Sequence, residues 1–159
     1  MKPEYAVNPG VSIGPILLDR PREEVREILG EPDYVEAAHE RWGIEFPDKD
    51  CFVESCIQVR YLDNKVDDIQ LSGHSDFICT LAGIPVHDST VEEVASAAEG
   101  ISPRDREAKE FPFTYSYPGI GLSFWREDAD KHHFDTVNLT KPNSEQGAAE
   151  QPATAGEST

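Results

Sequence analysis

A histidine beside a serine and an aspartate is the raw material of nucleophilic hydrolysis, and His74, Ser75 and Asp76 stand next to one another in this chain. A triad needs its side chains to converge, whereas neighbours on extended backbone point alternately apart. The chain also lacks the G-x-S-x-G elbow, the phosphate-binding loop, G-x-G-x-x-G and H-E-x-x-H. His132, His133 and Asp135, beside Glu127, Asp128 and Asp130, have the donor types of a metal site but match no ligand spacing. Asp63-x-Lys65-x-Asp67 departs from the calcium loop at its middle ligand and lacks the following glycine. Cys51, Cys56 and Cys79 form no C-x-x-C knuckle, and an odd count favours reduced thiols. The acidic pairs Glu23-Glu24 and Glu92-Glu93 fall in first helical turns, where the helix dipole favours carboxylates. These groups give no catalytic residue and no cofactor. The alternative they leave open is a small metal-dependent enzyme using the His132/His133 loop.

The aromatic residues carry more. Trp42, Tyr61, Phe113, Tyr115, Tyr117, Phe124 and Trp125 all fall on expected strands or at their ends. With helices on one face of an antiparallel sheet, one parity packs beneath them and the other faces away. Phe124 and Trp125 are consecutive, so they lie on opposite faces. Tyr and Trp bordered by carboxylates are the side chains of protein-binding hot spots. The expected contact residues are Trp42, Tyr61, Tyr115, Tyr117 and Trp125.

What positions them is an internal duplication. Gly14 to Gly30 and the segment from Gly83 share a pattern of apolar strand, Asp, two residues and x-Glu-Glu-Val, with Asp19, Glu23, Glu24 and Val25 matching Asp88, Glu92, Glu93 and Val94. The first helix begins at Arg20-Pro21, buries Val25, Ile28 and Leu29, and stops at Gly30. The second is capped by Ser89 and Glu92 and buries Val91, Val94, Ala95 and Ala98. Ile57 to Leu62 and Lys65 to Leu71 form a hairpin about Asp63-Asn64, with a bulge at Asp67-Asp68. A second hairpin pairs the Phe111 to Tyr117 segment with Gly121 to Trp125 about Pro118-Gly119, and a last strand runs from about Phe134 to Leu139.

At 159 residues the chain predicts one folded domain over 1–140, with repeat one at about 10–72, repeat two at about 76–140 and a disordered acidic tail at 141–159. The tail has no large apolar side chain to offset its ordering entropy. A net charge of −17 repels phosphate backbones and anionic lipid, which argues against nucleic-acid and membrane binding. It either steers a basic protein partner or only keeps the chain soluble. Apolar runs are short and the N-terminus has no signal-like apolar region, so a cytoplasmic location is expected.

The segment Val11 to Asp33, with its Gly-x-Ile/Leu start, E-E-V helix and terminal L-G-x-P, resembles small bacterial domains of the SmpA/OmlA and beta-lactamase-inhibitory-protein-like group. The second half, with YSYPGIGLSFWRED and HFDTVNL, resembles uncharacterised bacterial proteins of similar plan. The resemblance implies tandem α/β repeats forming a concave antiparallel sheet that grips a partner protein. It covers about 100 residues through short structural motifs, and departs from the group at Arg20, where Ser or Thr is usual.

The expectation is thus an α+β protein in which two similar α/β repeats form a curved antiparallel sheet with helices on one face. Its expected role is non-enzymatic: an immunity or inhibitor protein that occludes a basic toxin or enzyme.

Overall fold

Ile57, Val59 and Tyr61 alternate with Gln58 and Arg60, and in the computed structural model, which describes residues 2–109 and 111–142, the first three are buried. In chain order the strands before the first helix are β1 (Glu4–Asn8), β2 (Ser12–Ile13) and β3 (Ile16–Leu17). After α1 (Arg22–Leu29) come β4 (Tyr34–Glu36), β5 (His39–Arg41), β6 (Ile44–Phe46), β7 (Lys49–Phe52), β8 (Ile57–Leu62) and β9 (Lys65–Ser72). Next are β10 (Ile78–Leu81), β11 (Ile84–Pro85), α2 (Val91–Glu99), β12 (Thr114–Tyr117), β13 (Leu122–Trp125) and β14 (Thr136–Thr140). The acidic tail, from 143 onward, lies outside the described residues.

The chain is a mixed α+β protein, but its strands do not form the single sheet expected. Seven strands pair antiparallel in the order β12-β13-β14-β9-β8-β7-β4, and five in the order β11-β10-β1-β2-β3. The reason is β1, which precedes both expected repeats. It pairs parallel with β10, Tyr5 opposite Cys79, and antiparallel with β2, so it joins two short hairpins into a second sheet. β5 and β6 pair only with each other among the described strands. The bulge falls where alternation breaks: Arg60 faces Asp68 while Tyr61 faces Val66, leaving Asp67 as the extra residue. Gly121 opens β13 at φ +66, where a Cβ would lie 2.1 Å from the Thr140 carbonyl oxygen, so only glycine fits.

Helix α1 is tied to β7 of the larger sheet, and α2 lies against β10 of the smaller sheet and β12 of the larger. α2 buries Val91, Val94, Ala95 and Ala98 as the stripe predicts, but its cap is one residue later than Ser89. Thr90 Oγ1 accepts the Glu93 N–H at 3.1 Å, and the Glu93 carboxylate accepts the Thr90 N–H at 2.9 Å. In α1 only Val25 is fully buried and Ile28 is exposed. Its inward stripe is Arg22, Val25, Arg26 and Leu29, because two of those positions reach a buried carboxylate on β7 rather than apolar side chains. Buried apolar side chains from Val7 to Leu139 form one core. Among the described residues no helix is long and apolar enough to cross a membrane.

Candidate functional site

Strand register divides the aromatic residues. Tyr115 lies opposite Phe124 and Tyr117 opposite Leu122, so both tyrosines share the core face of Phe124, while Trp125 lies opposite Thr114 and Thr136 on the other face. Tyr117 is fully buried, edge-on to Phe124 at 6.0 Å, and Tyr61 is buried with Val59 and Ile57. Neither can touch a partner. Tyr115 is half-buried, edge-on to Phe134 at 5.3 Å, with the guanidinium of Arg104 at 4.7 Å and that of Arg126 at 5.7 Å from its ring. That sandwich of ring and cations belongs to the wall under α2. Of the five expected contact residues, only Trp42 and Trp125 are exposed.

The face turned from the core is largely polar, with Trp125 and Tyr34 as its exposed aromatic side chains. Across its middle runs a register row of Ser116, Ser123, Asn138, Gln70 and Gln58. Trp125 closes one end, 44% exposed, on a cleft of about 680 Å³ shared with Ser72, His74, Lys131, His133 and Asp135. The titratable groups there hold the structure together. His74 Nδ1 accepts the Asp76 N–H at 3.0 Å and its Nε2 donates to Glu54 at 2.8 Å, so neither nitrogen is free to activate Ser75. His133 Nδ1 donates to the Ser89 carbonyl at 2.8 Å, and Asp135 takes the Glu127 N–H and the Lys131 ammonium. Among the described residues no three His, Cys, Asp or Glu side chains are grouped to hold a metal ion. Cys51, Cys56 and Cys79 are free thiols, and burial pushes that of Cys79 up to about 12, far from the reactive thiolate.

Trp42 stands apart from this. It is 83% exposed at the tip of the β5–β6 hairpin, with the Arg41 guanidinium 5.2 Å from its ring. Among the described residues three two-residue hairpin turns have both residues at positive φ: Trp42-Gly43, Asp63-Asn64 and Ala82-Gly83. That backbone favours Asn, Asp or Gly, and Asp63-Asn64 fits the preference. Trp42, at φ 56, carries an indole through the left-handed region at a cost of about 1 kcal/mol and buries almost none of it. Two strands away in sequence, Leu62 is also exposed, and Glu40 lies directly opposite Glu45 in the hairpin.

Ion pairs and hydrogen bonds tie down the root of the hairpin. Immediately after β6 come Asp48 and Asp50, and Arg22 bridges them at 2.7 and 3.3 Å. Asp50, with no exposed surface, also receives both Nε and Nη2 of Arg26, at 2.9 and 2.7 Å, and the Tyr61 hydroxyl at 3.0 Å. Burial alone would push this carboxyl up. The hydrogen bonds from Arg26 and Tyr61 and the charges of the two arginines outweigh it and hold Asp50 below the usual carboxylate range. No motif announces this cluster in the sequence, because its members are 24 and 28 residues apart and lie on different elements.

The two buried tyrosines differ in a testable way. The Tyr61 hydroxyl is bonded to a charged group, whereas the Tyr117 hydroxyl has no partner among the described residues. Tyr61→Phe is expected to lose about 1.5–3 kcal/mol in urea denaturation, and Tyr117→Phe to be neutral or stabilising. Equal losses would contradict this placement.

His87 supplies a pH dependence. Burial lowers its pKa from 6.5, against the opposing effect of a 3.2 Å bond to the Leu71 carbonyl. The unfolded chain takes up a proton as pH falls below about 6.5 while the folded chain resists it, so stability declines over that window and levels off below the folded pKa. The difference between wild-type and His87→Gln stability, followed by urea denaturation from pH 7.5 to 5, should shrink as pH falls. A constant difference would show that His87 titrates equally in both states.

No family model matches the chain, and no curated protein or solved structure is found to be similar to it.

Proposed function

We propose that this protein is a non-enzymatic protein-binding module, an inhibitor or immunity-type protein that covers a basic partner with the Trp42 hairpin. The observation that carries this reading is Trp42 itself, a large apolar side chain held exposed on strained backbone where the fold has no use for it. The net charge of −17 supports it, since an acidic surface speeds encounter with a basic partner. An indole at the centre of an interface and an anchored root beneath it are what a hot spot requires. Trp125 and Tyr115 take no part in this contact, and four strands separate Trp125 on β13 from β4 at the far edge of the sheet.

The scaffold is read as two tandem units, as the resemblance to the inhibitor group implies. What supports that is the order of short hairpin, helix and antiparallel strands in each half: β2–β3, α1, then β4 and β7–β9, against β10–β11, α2, then β12–β14. The N-caps Pro21 and Thr90 keep the spacing of the sequence repeat.

Affinity capture from the native host tests the function. The expected result is a basic protein retained at low salt and released as ionic strength rises past about 0.5 M, where the Debye length falls toward 4 Å. Recovery of no protein under any salt condition, together with stoichiometric metal in the purified chain, would favour the enzyme reading instead.

A further inference from the structure

A groove of about 420 Å³ runs between the β5–β6 hairpin and the end of β8, with Ala38, Pro47 and Leu62 as apolar walls. Leu62 is 54% exposed there, beside the Asp63-Asn64 turn. On the hairpin side Glu40 and Glu45 line the same groove and face each other in register. Like charges directly opposite on a two-stranded ribbon are destabilising. Neither glutamate has a cationic partner among the described residues, although the chain pairs many of its other acids with arginine or lysine. An apolar wall, two unneutralised carboxylates and an exposed indole on the same hairpin define the chemistry of what fits.

We infer that this groove receives an arginine side chain of the partner protein, with the aliphatic stem on Leu62 and Pro47 and the guanidinium bridging Glu40 and Glu45. Charge complementarity selects a cation, and the apolar wall selects one with a long stem. The planar fork of arginine can donate to both carboxylates at once, which the point charge of lysine cannot. A second copy of this chain does not fit, because it brings the same acidic surface. The inference rests on the proposed function and names the residue that the Trp42 hairpin recognises.

The test titrates the intact protein with a tetra-arginine peptide at low salt, following backbone amide shifts by NMR. Saturable shifts are expected at Ala38, Glu40, Glu45 and Leu62. Glu40→Gln/Glu45→Gln should weaken binding by at least about tenfold, the scale of one lost charge-assisted hydrogen bond. Glu92→Gln/Glu107→Gln, which removes the same charge elsewhere, should change it less than about twofold, as expected of a screened distant charge. Leu62→Ser should weaken the peptide while leaving the fold intact by its amide spectrum. Equal weakening by the two double variants would mean that only the general acidic field is felt, and would overturn the inference. So would tetra-lysine binding as tightly as tetra-arginine, or no saturable shift at the groove. A captured partner whose binding ignores the Glu40/Glu45 variant would overturn the groove and leave the protein-binding function standing. Groove shifts without any partner in the host would do the reverse.

Discussion

Asp50→Ala is expected to destabilise the protein by about 3–5 kcal/mol, the cost of breaking a buried ion pair and leaving its partners uncompensated. The carboxylate is fully enclosed and answers two guanidinium groups and a phenol, so its removal strands Arg26 and the Tyr61 hydroxyl and leaves Arg22 with Asp48 alone. Arg26 is partly exposed and can recover some hydration, which places the loss toward the lower end. With a urea m-value of about 2 kcal/mol/M, the midpoint should fall by roughly 1.5 M. Asp50→Asn keeps shape and one acceptor and should lose less. The loss should also reach the hairpin, because Arg22 holds Asp48 and Asp50 at its root. A loss below about 1 kcal/mol, the scale of an exposed pair, would mean that this cluster does not anchor α1 to the sheet.

Trp42→Asn should separate stability from binding. Asparagine suits the left-handed turn and removes about 1 kcal/mol of strain, against about 0.5–1 kcal/mol lost with the Arg41–Trp42 contact. Stability should therefore stay within about 1 kcal/mol of wild type, whereas a buried aromatic residue truncated in the core loses about 3–5 kcal/mol. Affinity for the basic partner should fall by at least about 30-fold, the effect of losing a hot spot worth 2 kcal/mol. Thermal unfolding and a binding isotherm on the same two samples check both halves. A large drop in melting temperature would make Trp42 a structural residue and remove the ground for its binding role.

The sequence made local structure legible where one period dominated. The 57–62 and 65–72 strands, their Asp63-Asn64 turn, the bulge at Asp67 and the α2 stripe all follow from patterns read within about a dozen residues. Two things were not legible because they depend on partners far along the chain. β1 has little pattern of its own and acquires its place by pairing with β10, 74 residues later in register, which splits the expected single sheet in two. The face of Tyr115 and Tyr117 depends on their register with β13. The opposed positions of Phe124 and Trp125 were readable, but only the pairing of Tyr115 with Phe124 shows which tyrosines follow which residue. Tyr61 was readable as in phase with Val59, and its role emerges only with Asp50 and the arginines of α1 around it. Trp42 was legible as an aromatic residue near a turn, but not as the residue at left-handed φ whose indole stays in solvent.

Hydrogen exchange across the chain, with and without the basic partner obtained by capture, tests most directly whether the Trp42 hairpin is the binding surface. Added protection is expected over 39–46 and at Leu62, with the Trp125 end of the sheet unchanged. Protection confined to the Trp125 cleft or the α2 side, with 39–46 exchanging as in the free protein, would contradict it.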